Sequence, residues 1–269
     1  MNASNTSSGL SNASTPSNQQ LNQLMISIGP QPLPPPQLNL PHADLIEGTR
    51  ENYIKIGVPL YEASIKGHWE AAKVILDRQP GLVRFAITEY YETPLHIAAS
   101  SESTRSMEEF VENLVNLMEK KDLELQNKNY NTALSLAAMA GSVKLAKIMV
   151  KKNKDVLEIP GSQGMMPLHM AALSAKHDMV KYLYDNSHKM SSHFWTNENR
   201  GLVLLKCVEA DLFDVALKIV NDCTDLTTMK SLLTEVLLSL AQKTDAFRGI
   251  KPPIISRKIK SSKYSSLAY

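Results

Sequence analysis

The sequence predicts an all-α solenoid of helix-turn-helix units joined by short hairpin loops. Self-similarity at a period near 33 residues, two amphipathic stretches in each period, and a composition poor in what β-architectures need all point to it. Aromatic residues make up 6% of the 269 residues and there are 11 glycines, too few for a sandwich or propeller of many short strands and tight turns. A hydrophobic content of 43% is enough for a buried core.

Four segments align in register: Val58-Pro-Leu-Tyr-Glu-Ala63, Thr93-Pro-Leu-His-Ile-Ala98, Thr132-Ala-Leu-Ser-Leu-Ala137 and Met166-Pro-Leu-His-Met-Ala171. Their leucines, Leu60, Leu95, Leu134 and Leu168, lie 35, 39 and 34 residues apart, and the register continues more weakly to Leu204 and Leu237 at 36 and 33. Self-similarity at such a period marks units that cover one another's apolar sides. Thr93 and Thr132 sit where a hydroxyl caps the helix that follows. Pro59, Pro94 and Pro167 sit in the first helical turn, where a missing N–H costs nothing. The second half of each unit repeats too, at 71–76, 110–115, 145–150, 179–184 and 215–220, with apolar residues at i, i+1, i+3, i+4 and i+5. That spacing gives a second helix with one wide buried face. Gly67 and Gly141 suit the tight turn between the two helices, and Ala175 and Asp211 suit it less well. The 39-residue spacing traces to the serine-rich stretch 100–106, expected to lengthen one inter-helix turn.

The T-P-L-H-x-A pattern over residues 53 to 247 resembles the ankyrin-repeat family, which implies an ankyrin-repeat solenoid of five to six units. More narrowly, the run from Pro59 to Lys73, the Arg-Gln-Pro-Gly-Leu-Val run at 78–83 and the outer helix ending Val150-Lys-Lys-Asn-Lys-Asp155 resemble plant ankyrin proteins that carry a C-terminal PGG-type membrane domain; that domain is absent from these 269 residues. The resemblance implies structural imidazoles at His96 and His169, bonding between neighbouring units. It also implies protein binding on the face made by the inner helices and hairpin tips. The hairpin position usually held by glycine is Tyr91 and Tyr130 here, with Gly164 alone matching. A tyrosine at positive φ is strained, so irregular tips are expected.

Composition divides the chain into a Ser/Asn/Gln/Pro-rich tail at 1–44, a repeat domain at 45–250 and a basic tail at 251–269. No Lys, Arg, Asp or Glu precedes Asp44, and seven of the 14 prolines fall in the first segment, which is expected to be disordered with a polyproline-II-biased run at 30–36. No secretory or transit pattern precedes the repeats, and the Asn2, Asn5 and Asn12 sequons follow from Asn/Ser bias. The basic tail reads as a nuclear-import or anionic-lipid contact, or simply as a solvated end. The sixth unit shows an inner helix at 233–242 without an outer helix before Pro252-Pro253, which predicts an exposed apolar patch near Val236, Leu237, Leu240 and Phe247, covered by the tail or left by a shortened chain.

Lys plus Arg number 29 and Asp plus Glu 27, a net charge of +2, so no global field draws the chain to nucleic acid or lipid. The lysines at 144, 147, 151, 152 and 154 read as the solvated side of an outer helix, and no nucleic-acid partner is expected. No apolar run is long enough to span a bilayer. Phosphate-cradle, serine-nucleophile, dinucleotide and zinc motifs are missing. His188 and His193 lack a completing ligand set, and Cys207 and Cys223 read as small buried hydrophobes. The expectation is therefore a cytoplasmic, non-enzymatic protein with no cofactor and no metal, whose partners are other proteins. Kinship places it in plant stress or defence signalling. The competing reading is the cytosolic part of a membrane-anchored signalling or transport-type protein, at the cytosolic face of the plasma membrane. The contact surface is expected at the tips, Glu89, Tyr90, Tyr91 and Glu92, then Lys128, Asn129, Tyr130 and Asn131, then Ser162, Gln163 and Met165. Ile65, Lys66, Met139, Ala140, Leu173 and Ser174 line the same side from the inner helices. Tyrosine offers large contact area at low rotamer cost, although Tyr91 and Tyr130 could instead stack on each other to support the hairpins.

Overall fold

The computed structural model describes residues 38–192 and 194–243, and from Asn39 onward these form one compact unit. Helices α1 (Val58–Lys66) and α2 (Trp69–Leu76) make the first repeat, and α3 (Pro94–Ser100) and α4 (Arg105–Leu117) the second. The third comprises α5 (Ala133–Ala140) and α6 (Val143–Lys152), and the fourth α7 (Pro167–Leu173) and α8 (His177–Asn186). The fifth comprises α9 (Asn197–Glu209) and α10 (Phe213–Asp222), and α11 (Lys230–Gln242) stands as the inner helix of a sixth. Inner helices stack on inner helices and outer on outer. A 3-10 turn follows each outer helix and feeds the next unit. Among the described residues extended pairing is limited to two isolated bridges, His42 with Phe85 and Gln126 with Thr132.

The motif leucines show why the units must stack. Leu60, Leu95, Leu134, Leu168 and Leu204 are between 0% and 2% exposed, and full burial of each stabilises by about 2–3 kcal/mol. Threonines start several of the helices: the hydroxyls of Thr93, Thr104, Thr132 and Thr196 accept from the backbone N–H three residues on. The serine-rich insertion is only partly a longer turn. Thr104 caps α4, so Arg105 and Ser106 already belong to a 13-residue outer helix, against 8 residues in α2.

Three expectations change. The segment 39–44, assigned by composition to the disordered tail, packs on the repeats. His42 N donates to Arg84 O at 3.0 Å, His42 O accepts from Ala86 N at 2.8 Å, and Asn39 O accepts from Gln126 N at 2.8 Å, while Pro41 is buried. Main-chain pairing, which composition does not report, holds it there. The hairpin tips are regular, because Tyr91 and Tyr130 adopt φ of 58° and 64° and Gln163 and Gly164 match them at 56° and 71°. In the sixth unit Val236 is buried, since Leu232 and Val236, one turn apart, face α9, where Gly201 leaves room for Leu232. Leu237 and Leu238 are the exposed pair, 55% and 58%, and Leu240 is half-buried. Phe247, residues 1–37 and the basic tail lie outside the described residues.

The inter-helix turns of the first, third, fourth and fifth units repeat one backbone shape with three residue types: Gly67, Gly141, Ala175 and Asp211 have φ of 65°, 83°, 50° and 62°. A side chain at Gly67 would bring Cβ within 2.9 Å of the Met107 backbone, whereas at Gly141 it would meet only the flexible Lys176 side chain. Gly67→Ala is therefore expected to lower the denaturation midpoint more than Gly141→Ala. Ala175→Gly, which removes a Cβ from a left-handed position, is expected to stabilise by about 1 kcal/mol. Urea titration followed by circular dichroism measures all three, and equal losses at the two glycines would refute the steric account.

Candidate protein-binding surface

The surface is built on a ladder of inter-unit bonds beneath the hairpins. His96 is 2% exposed; its Nδ1 accepts from Thr93 N at 3.2 Å, which leaves Nε2 to donate to Asn131 O of the next unit at 3.1 Å. His169 repeats this, with Met166 N donating to Nδ1 at 3.0 Å and Nε2 donating to Asn199 O at 2.9 Å. Trp195 stacks on the His169 ring at 4.8 Å. Each imidazole thus fixes its own helix start and ties it to the following unit. In the third unit Ser135 occupies the corresponding position, sharing a bond with Thr132 and making no inter-unit link.

The tips divide by what holds them. Tyr90 is 62% exposed and Tyr130 38%, and Glu89, Lys128, Asn129 and Gln163 are also exposed. Tyr91 is half-buried and engaged: its hydroxyl donates to Glu47 Oε1 at 2.7 Å, and the Lys128 ammonium lies 4.2 Å from its ring centroid. The bond to Glu47 holds the phenol above its ordinary pKa. Tyr91 therefore meets Lys128 rather than stacking on Tyr130. Glu92, Ser162 and Met165 are half-buried, and Glu92 accepts from the Thr88 hydroxyl at 2.9 Å. Asn131, counted among the tip residues from sequence, is buried, its carbonyl taken by His96 and its Oδ1 by Ser162 N at 3.2 Å. It belongs to the inter-unit ladder.

On the inner helices Ile65, Met139 and Leu173 are 44%, 42% and 45% exposed at the same place in their units, five residues after the motif leucine. Lys66 and Ala140 beside them are exposed, with Lys66 paired to Glu62 at 3.3 Å, and Ser174 is half-buried. The second and fifth units carry Ser100 and Glu209 at that position. The result is an apolar row with polar interruptions, bordered by tyrosines.

Several residues that shape this surface escaped the sequence reading. Asn127 Oδ1 accepts from Asn129 N and Asn131 N, both at 3.0 Å, and so closes the hairpin carrying Tyr130. An Asn opening a turn is a readable local signal. Arg84 and Asp122 join successive connectors at 3.0 Å with Asp122 buried, a pairing that no local pattern announces. Elsewhere, burial pushes the Cys207 thiol up to about 12 and raises that of Cys223. Both are thus protonated at neutral pH. His188 is exposed and His193 lies outside the described residues, and no cluster of metal-ligating side chains occurs among the described residues.

Burial lowers His96 to about 4 and lowers His169 as well, the backbone bonds only partly offsetting it. Because an unfolded histidine titrates near 6.5, the unfolded chain binds more protons between that pH and about 4, so stability falls as pH drops through this window. His96→Gln is expected to flatten the fall in denaturation midpoint between pH 6.5 and 4.5, while lowering stability at pH 7.5 by about 1–3 kcal/mol through the lost bonds. An unchanged slope would show that His96 does not titrate with unfolding.

Residues 105–193 match the family model described as ankyrin repeats in three copies. The NF-kappa-B inhibitor cactus of Drosophila melanogaster is 30% identical over 107 residues, covering 39% of this chain and 21% of that protein. Its counterpart from Drosophila yakuba is 29% identical over 109 residues, covering 40% and 22%. Inversin of Mus musculus is 29% identical over 113 residues, covering 42% of this chain and 10% of that protein. The aligned part thus spans about a fifth of the cactus proteins and a tenth of inversin. Residues 105–193 are ankyrin repeats, and the stack they share with the units on either side is an ankyrin-repeat solenoid.

Proposed function

We propose that this chain is a non-catalytic scaffold that binds another protein on its inner-helix face and hairpin tips. The observation that carries the reading is the row of exposed Ile65, Met139 and Leu173 at one repeat position, bordered by the exposed rings of Tyr90 and Tyr130. Apolar side chains held outward on rigid helices beside amphipathic aromatics suit a desolvated contact with a partner. Tyr91 and Asn131 support the surface from below, and Glu89, Lys128, Asn129 and Gln163 supply its polar rim. The name of cactus, an inhibitor of NF-kappa-B, supports a signalling role exerted through a bound partner. Resemblance to plant relatives over residues 59–83 and 150–155 supports stress or defence as the setting. The same resemblance supports a second reading, in which these repeats are the cytosolic portion of a membrane-anchored signalling or transport-type protein. Among the described residues no helix is long and apolar enough to cross a membrane, so that reading requires coding sequence for apolar stretches of about 20 residues beyond Tyr269.

The variants Tyr90→Ala with Tyr130→Ala, and Met139→Asp with Leu173→Asp, test the surface by affinity capture from source tissue followed by titration of the captured partner. Each pair is expected to weaken binding by at least about thirtyfold, as for interface anchors, with the helical dichroism retained. Undiminished capture of every partner by both folded variants would reject this face as the binding site.

A further inference from the structure

The segment ahead of the first repeat meets successive units with its main chain. His42 N donates to Arg84 O at 3.0 Å, His42 O accepts from Ala86 N at 2.8 Å, and three residues earlier Asn39 O accepts from Gln126 N at 2.8 Å. Residues 84–86 lie in the connector that enters the second unit, and Gln126 in the one that enters the third. Three residues of extended chain span about 10 Å, and packed helices lie about 8–10 Å apart. One carbonyl in three therefore finds a donor on the next unit. Pro41 keeps the chain to that step, because its ring fixes its own φ and biases Leu40 to extended backbone. It is buried between the two bonding residues, while Leu40 is 39% exposed. The His42 ring lies 5.2 Å from that of Phe85, and Leu45 is buried in the single helical turn that follows. In the fourth unit Pro160 holds the place of Gln126, one residue before the N–H that closes the hairpin. Proline has no N–H to give, so a third carbonyl has no donor at that place.

Both ends of the segment are tied to the hairpin tips. Gln126, bonded through its N–H to Asn39, donates from Nε2 to Tyr130 O at 2.8 Å and to Pro160 O at 3.0 Å. Glu47 accepts from the Tyr91 hydroxyl at 2.7 Å, and the Lys128 ammonium lies 4.2 Å from that ring. Lys128 N donates to Tyr90 O at 2.9 Å and so joins one tip to the next. With the segment gone, the N–H groups of Ala86 and Gln126 are left to water and Tyr91 loses its acceptor.

We propose that the edge at 84–86 and 126 is a docking slot for an extended segment with a proline between its bonding residues. Its resident occupant is the chain's own stretch 38–48, and occupancy sets the shape of the tips carrying Tyr90, Tyr91 and Tyr130. A main-chain bond contributes about 0.5–1.5 kcal/mol net, so three of them with a few apolar contacts hold the occupant as a locally opening element, not as part of the global fold. Tethered in cis, it acts at an effective concentration in the millimolar range and excludes competitors. The bearing of the slot on partner binding rests on the protein-binding reading of the tips; the slot itself does not.

Amide hydrogen exchange on the full-length chain tests this. Pro41→Asp places a charge where the proline is buried, and His42→Pro removes one donor while keeping the backbone extended. Each is expected to speed exchange at Ala86 and Gln126 by about tenfold or more, with Tyr91, Lys128 and Tyr130 following and Met165 and Ser187 of the fourth unit unchanged. His42→Ala, which keeps the N–H, is expected to do much less. A synthetic peptide of residues 38–48 in excess is expected to restore protection at Ala86 and Gln126 in the Pro41→Asp chain, and to change nothing in the wild type, whose slot is filled. The same peptide carrying Pro41→Asp is expected to restore nothing. Unchanged exchange at Ala86 and Gln126 in both variants, or no restoration by the peptide, would overturn the slot. Unchanged exchange at Tyr91, Lys128 and Tyr130 once those two amides are exposed would overturn its hold on the tips. Faster exchange through every unit would mean a destabilised stack instead of a vacated slot, and would equally count against it. No partner enters the measurement, so the binding test of the inner-helix face stands or falls separately.

Discussion

A pair of short antiparallel helices cannot cover its own apolar side, and every other feature of this molecule follows from that. The inner helices run from 7 to 13 residues, too short to be stable alone in water. What holds them is the burial of one leucine per unit between neighbours, supported by alanine pairs such as Ala98-Ala99 and Ala137-Ala138 that are 0% exposed and let backbones approach. Stability is then close to a sum of unit and interface terms. The second and fourth units add buried imidazole bonds to the unit that follows, and the third, with Ser135 in that place, is joined forward by its hairpin instead, Asn131 Oδ1 accepting from Ser162 N.

Stacking also fixes which backbone shapes are allowed, and side chains adapt to it. The hairpin tips of the second, third and fourth units and the turn between helices in every unit but the second use a left-handed residue. Glycine supplies it at 67, 141 and 164, but Tyr91, Tyr130, Gln163, Ala175 and Asp211 also adopt it. For those residues the left-handed conformation costs about 1–2 kcal/mol each, so the surrounding contacts must exceed that cost. At Tyr91 they are visible: the hydroxyl on Glu47, the ammonium of Lys128 over the ring, and the Tyr91 N–H donated to Thr88 O at 3.0 Å. A tyrosine here gives up backbone comfort and gains a side chain anchored to the segment that precedes the first repeat.

Periodic features were legible in the sequence and aperiodic ones were not. Leu60, Leu95, Leu134 and Leu168 announce their burial because the same residue returns every 34 to 39 positions, and period is what a sequence displays most openly. The imidazole ladder was legible in residue type through resemblance, but its acceptors, Asn131 O and Asn199 O, are main-chain atoms without identity. The same blindness hid the pairing of residues 39–44, whose composition is that of a tail while their N–H and C=O groups match the edge at 84–86. Glu47 with Tyr91 and Arg84 with Asp122 join residues 44 and 38 positions apart and leave no pattern. Exposure was the hardest to read, because Ile65, Met139 and Leu173 differ from buried neighbours only by their angle on the helix.

That angle is the functional information in the molecule. An inner helix must direct Leu134 inward, and the next positions around the barrel then turn toward the open side, where nothing in the fold constrains them. The fold accepts Ser100 or Glu209 there as readily as Met139, so an apolar residue at that site in three of five units is not a requirement of stacking. Exposed apolar side chains at equivalent, rigidly spaced positions cost solubility without adding to the core. A partner that removes them from water is the physical condition under which they become favourable. A repeat stack can offer such a surface because its interior is already complete without it.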